Sequence, residues 1–177
     1  GKHQQDRPYI CIATASTAQA KYWNNPTGWQ DLVNHYNSKG YDVYHISKET
    51  HDLENVKNPP EDLGEVYKLL QGAETFYGIS SGLSWFAWAT DCPVVLISGF
   101  TPEECEFNDK KTLRIIDKSV CNGCWAWEHF NRGDWNWCPK YKGTAQHFEC
   151  TKVITAQSVI KQVEAWQETN ITEDANA

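Results

Sequence analysis

Methionine is absent from this chain, no apolar run approaches the roughly 20 residues that a membrane-spanning helix needs, and no G-x-G-x-x-G or Walker phosphate loop occurs. With glycine at position 1, the first absence reads as a piece cut from a longer protein, whose opening segment need not be native. The second leaves no membrane-spanning helix to expect within these residues, and with no signal-like opening the expectation is a cytoplasmic protein without a membrane partner. Positive charge is also scarce. Lysine and arginine number 16 against 23 acidic residues, a formal net charge of -7, so the cationic face needed for a nucleic-acid partner is missing. The seven cysteines are an odd number, which suits four metal thiolates plus the single thiols Cys11, Cys92 and Cys105 better than a secreted disulfide framework.

What is present is concentrated between positions 121 and 150. Cys121, Cys124, Cys138 and Cys150 stand at C-x2-C-x13-C-x11-C. A C-x2-C turn brings two sulfurs to one side, and two later cysteines can close a tetrahedral shell, so the spacing reads as a tetrathiolate metal site. Four protein thiolates leave no open position for substrate, which makes the site structural. The loop between them carries Trp125, Trp127, Phe130, Trp135, Trp137 and Tyr141 without regular periodicity, so the metal would serve as its core. His129 and His147 lie in the same loop but are not needed as ligands. A redox pair at Cys121 and Cys124, and a sugar platform or partner interface on the aromatic rings, are the competing readings.

The rest of the 177 residues alternates short apolar runs with amphipathic ones. Strands are expected at 9–15, 41–46, 75–79, 93–98 and 112–117. Helices are expected around Trp29, Leu32, Val33 and Tyr36, around Leu63, Val66, Tyr67 and Leu70, over 85–90, and from about Thr155 through Val159, Ile160, Val163 and Trp166. The 85–90 helix, aromatic or small nearly all round, is expected to be buried. Such alternation predicts an α/β fold with a parallel, doubly wound, Rossmann-like sheet. We divide it into a nucleotide-binding core at 1–118, a four-cysteine metal subdomain at 119–152, a closing helix at 153–168 and a polar tail at 169–177.

In open α/β sheets ligands lie beyond the carboxyl ends of the strands, and three segments land there: 16–21, 80–84 and 99–101. Ser81-Gly82-Leu83-Ser84 would present unpaired N–H groups at a helix start, with Gly82 allowing close approach, an arrangement suited to a diphosphate. Lys21 could meet the same phosphates. The simpler reading is that Ser80 or Ser81 only caps the helix.

Three stretches resemble one family: ATASTAQAKYW followed by NPTGW at 13–29, FYGISSGLSWFAWATDCPVVLISGFTPEECEF at 76–107, and the cysteine segment with WCPKYKGT and HFECTKVIT. They are similar to the C-terminal, donor-binding half of bacterial autotransporter heptosyltransferases, a GT-B group related to the heptosyltransferases of lipopolysaccharide core synthesis. The resemblance implies ADP-heptose as donor and serines of an autotransporter passenger as acceptor. It also implies inverting transfer, with the general base in an N-terminal half, so that this piece alone binds nucleotide without turnover. Donor contacts would fall to Ser16, Thr17 and Lys21 after the first strand and to Ser80, Ser81, Gly82, Leu83 and Ser84 at the helix start. By the same resemblance, Cys121, Cys124, Cys138 and Cys150 hold iron and support a homo-oligomer, although the sulfur chemistry suits zinc equally. Ser80 and Trp85 stand where the lipopolysaccharide enzymes carry an acidic residue and a histidine. The rival function is a non-catalytic, metal-stabilised interaction module.

Overall fold

Along the first strand, Ile10 and Ile12 face one apolar cluster while Tyr9 and Cys11 face another, the period of two expected of a strand buried on both sides. That alternation organises the fold. The computed structural model describes residues 7–127 and 136–175, so His129, Phe130 and Trp135 lie outside the described residues. Five parallel strands, β1 (Tyr9–Ile12), β2 (Asp42–His45), β3 (Phe76–Gly78), β4 (Val94–Ile97) and β5 (Thr112–Ile115), form one sheet in the order β2-β1-β3-β4-β5.

Helix α1 (Gly28–Ser38) and helix α5 (Ala156–Ala175) cover one face through Leu32, Val33, Tyr36, Val159 and Val163. Helices α2 (Leu63–Gly72) and α3 (Gly82–Ala89) cover the other through Val66, Leu70 and Ala87. The sheet is therefore doubly wound, and its strand order reverses between β1 and β3. Helix α4 (Glu149–Lys152) closes the cysteine segment. Among the described residues no helix is long and apolar enough to cross a membrane.

Two expectations are corrected. The third helix starts at Gly82 rather than 85, and it is not buried all round: Trp85 and Trp88 are 45% and 37% exposed. Only the small side chains Ser84 and Ala87 are buried along it. The tryptophans gather outside, Trp88 stacked on Phe107 at 5.6 Å and donating through Nε1 to Asp109 Oδ2 at 2.8 Å. In addition, α5 continues through 169–175, so the polar stretch expected as a tail is helical there.

Candidate functional site

The reversal of strand order opens a crevice at the carboxyl ends of β1 and β3, the place where open α/β sheets hold ligands. The two loops are tied together there, Ser16 Oγ donating to the Ser80 carbonyl at 2.8 Å. Lys21 Nζ donates to Thr17 Oγ1 at 3.3 Å, on the same loop.

Ser81 is the N-cap residue of α3, with extended φ and ψ of -161° and 165°, yet its side chain makes no capping bond. Asp62 shows the contrast at the start of α2, where its carboxylate accepts from the Glu65 N–H at 3.1 Å. The Ser81 hydroxyl is instead buried and has no hydrogen-bond partner, the one such side-chain atom among the described residues. Buried polar atoms are almost always paired, so an orphan beside a cavity is a candidate for a ligand bond, reached once the Ser81 side chain rotates out of its sealed position. Next to it, a Cβ added at Gly82 would meet nothing within 4 Å. The N–H groups of the first α3 turn have no partner within the helix, and the helix dipole makes that end favourable to an anion.

Lys21, Ser80, Ser81 and Gly82 line one cavity of about 270 Å³, together with Trp85, Phe100, Thr101, Cys105, Glu106 and Trp125. Four of the predicted residues do not line it: Ser16 and Thr17 make the loop bonds given above, and the Leu83 and Ser84 side chains turn away. Ser84 Oγ is buried and donates to the Ile79 carbonyl at 2.5 Å, and Leu83 packs against the apolar cluster under α2 and α3. These positions can offer only their backbone N–H groups.

Behind the cavity is a polar network that the sequence did not suggest. Ser80 Oγ donates to Glu106 Oε1 at 2.9 Å and lies 2.9 Å from Ser98 Oγ and 3.1 Å from Thr101 Oγ1, so it caps nothing. Glu106 Oε1 also faces Arg114 Nη1 at 3.3 Å, the two side chains being 5% and 11% exposed. Arg114 Nη2 donates to the carbonyls of Ser98 at 2.9 Å and Thr101 at 2.5 Å. Burial pulls the Arg114 pKa down, and Glu106 pushes it back up. A carboxylate thus reaches Ser80 from 26 residues further along. Nothing in the acidic run Glu103-Glu104-Cys105-Glu106 marks the last glutamate, and only the arginine further on, in β5, could have hinted at it.

Cys121, Cys124, Cys138 and Cys150 line a separate small cavity of about 20 Å³, room for roughly one water-sized occupant. None of the seven cysteines forms a disulfide. The Cys124 and Cys150 thiols are pushed up to about 12, first by burial and then by neighbouring thiols of the same set. Four sulfurs are the donor set that a tetrahedral thiophilic ion takes. Among the described residues, however, no three such side chains are arranged to hold a metal, so the four thiols share a cavity without forming a coordination sphere. His147 supports the set from behind, its Nε2 accepting from the Cys138 N–H at 3.0 Å.

Residues 1–111 match Glycosyltransferase family 9 (heptosyltransferase). The autotransporter heptosyltransferase BAHTCr of Citrobacter rodentium is 46% identical over 86% of this chain and 40% of its own length, and TibC of Escherichia coli is 44% identical over the same shares. The crystal structure of dodecameric, iron-containing TibC in complex with ADP-D-β-D-heptose superposes with a TM-score of 0.83 at 40% identity, over 92% of this chain and 45% of that one. The chain therefore spans about two fifths of the length of these curated relatives.

Proposed function

The chain belongs to glycosyltransferase family 9, the heptosyltransferases, and from that premise we propose that it is the C-terminal, donor-binding half of a GT-B protein O-heptosyltransferase. The donor is ADP-heptose and the acceptors are serine hydroxyls of an autotransporter passenger. The observation that carries this reading is the orphan Ser81 hydroxyl beside open Gly82 at the tip of α3.

In this reading the diphosphate sits on the N–H groups of Gly82, Leu83 and Ser84, with Ser81 Oγ donating to it and Lys21 opposite. Ser16 and Thr17 hold the facing loop in place, and Ser80 anchors the turn from behind. The cavity of about 520 Å³ beyond β2, lined by His45, Ser47, Glu49 and His51 among others, gives the nucleoside room on the same sheet edge. When the serine oxygen attacks the anomeric carbon, the bond from that carbon to the diphosphate breaks and negative charge collects on departing ADP. The α3 tip and Lys21 stabilise that charge. The proton leaving the serine needs a base, which we place outside this chain, so the chain alone binds donor without turnover.

Residues 119–152 form an appended unit in which Cys121, Cys124, Cys138 and Cys150 would hold one ion, iron by analogy with TibC and zinc as the alternative. Its role is to cross-link a segment poor in periodic apolar residues, and the assembled protein is a homo-oligomer. Unpaired thiols throughout suit a reducing, cytoplasmic setting. Calorimetry with ADP tests the donor reading: saturable one-to-one binding supports it, and a folded, metal-loaded sample that ignores millimolar ADP rejects it in favour of an interaction module. Elemental analysis with a visible spectrum tests the cysteine site, since a ferric tetrathiolate is coloured and a zinc one is not.

A further inference from the structure

Glu106 lies on the wall of the cavity assigned to the donor, with its side chain almost wholly removed from solvent. Its bonds to the described residues all use one oxygen: Oε1 accepts from Ser80 Oγ at 2.9 Å and from Arg114 Nη1 at 3.3 Å. No hydrogen bond to Oε2 occurs among the described residues, and Oε2 is not one of the sealed, unpartnered atoms, a class that Ser81 Oγ fills alone there. One carboxylate oxygen is thus held by a buried arginine and a buried serine, while the other accepts nothing among the described residues and is not sealed from solvent, on a side chain that lines the cavity.

That arrangement selects its ligand by charge. An unshared carboxylate oxygen repels a phosphate and accepts from a neutral hydroxyl, and a bond to a charged acceptor is among the stronger hydrogen bonds. The same cavity is lined by Trp85 and Trp125, apolar neighbours of the kind a sugar ring packs against. Lys21 and Gly82 belong to the anion-binding part of the cavity, and Glu106 cannot share that role. Resting on the donor reading above, we propose that Glu106 is a specificity-determining residue: its Oε2 accepts a hydrogen bond from a ring hydroxyl of the transferred sugar, and so tells a nucleotide sugar from the bare nucleotide. Ser80 and Arg114 act as positioning residues, fixing the carboxylate so that it meets the hydroxyl without searching rotamers.

Glu106→Gln tests this cleanly, because the amide keeps an oxygen for Ser80 and Arg114 but turns a donor toward the sugar. Calorimetry on the whole chain with two probes, ADP and ADP-D-β-D-heptose, reads the outcome. The proposal expects Glu106→Gln to bind ADP within about twofold of the unmodified chain, and ADP-heptose about tenfold or more weaker. Equal weakening of both probes, including loss of both through misfolding, makes Glu106 a structural residue and overturns it. Unchanged affinity for both overturns it as well. If the unmodified chain binds neither probe, the donor reading falls and this inference goes with it; if it binds both and Glu106→Gln does not separate them, only this inference falls.

Discussion

Gly99 lies so close to Cys150 that a Cβ at position 99 would stand 2.5 Å from the cysteine Cβ and 2.8 Å from its Sγ. Two main-chain bonds lock the same junction: Gly123 N–H donates to the Gly99 carbonyl at 2.7 Å, and Trp125 N–H to the Phe100 carbonyl at 3.1 Å. Phe100 and Trp125 also line the donor cavity. The cysteine segment is thereby part of the wall of the nucleotide crevice, and its integrity bears on the shape of the site.

Gly99→Ala should therefore lower stability by about 1–3 kcal/mol, the usual cost of overpacking a closed contact. Part of the clash is with Cys150 backbone, 3.2 Å from the added atom, which limits relief by side-chain rotation. Urea unfolding of the two chains measures it. Equal midpoints would show that the junction is loose.

Ser81→Ala should move stability and binding in opposite directions. Removing a buried hydroxyl with no partner relieves a desolvation cost, so the ligand-free chain should melt at the same temperature or higher, by up to about 1 kcal/mol. ADP affinity should fall, because the hydroxyl's proposed partner is a phosphate oxygen. Thermal melting with and without ADP reads both signs, and a variant that loses stability yet keeps ADP affinity would assign the hydroxyl to the fold.

The sheet was legible in the sequence because its central strands are unbroken apolar runs: Val94-Val95-Leu96-Ile97 is buried throughout. The positions of Lys21 and Ser81-Gly82 followed from that, since topology alone carries loops after β1 and β3 to one edge. Side-chain direction was not legible. Ser84 differs from Ser81 only in falling one helical turn on, where its hydroxyl meets the Ile79 carbonyl instead of the cavity. The Glu106–Arg114 pair joins an irregular loop to an edge strand, so no periodic pattern announces it. Exposure of Trp85 and Trp88 escaped notice for a related reason: an apolar helix can serve a site on its outer side as well as a core on its inner one.

Arg114→Met should cost about 3–5 kcal/mol, since it leaves the Glu106 carboxylate buried without its cation and the carbonyls of Ser98 and Thr101 without their donor. Adding Glu106→Leu to it should recover part of the loss by removing the stranded charge. Denaturant unfolding of the single and double variants checks this, and a single variant as stable as the parent would contradict it.

Acid sensitivity should have a contribution from His45, whose ring is 1% exposed, bonds Thr14 Oγ1 through Nε2 at 2.8 Å and lies 4.2 Å from the His51 ring. Burial, then His51, lowers its pKa from 6.5 to about 4, while Ser47 backbone and Glu49 oppose the shift. Between those values the unfolded chain takes up a proton that the folded chain refuses, so stability falls as pH falls through that window and the contribution is intact above it. Melting temperatures of the parent and His45→Gln across the window should converge toward acid. Parallel curves would remove His45 from the account.

The central claim is that the tip of α3 receives a diphosphate, and a crystal structure of the chain with bound ADP tests it most directly. The account predicts phosphate oxygens within hydrogen-bond distance of the Gly82 and Leu83 N–H groups and Ser81 Oγ, with Lys21 Nζ turned toward them. ADP seated elsewhere, or an α3 tip still bare at saturating ADP, would contradict it.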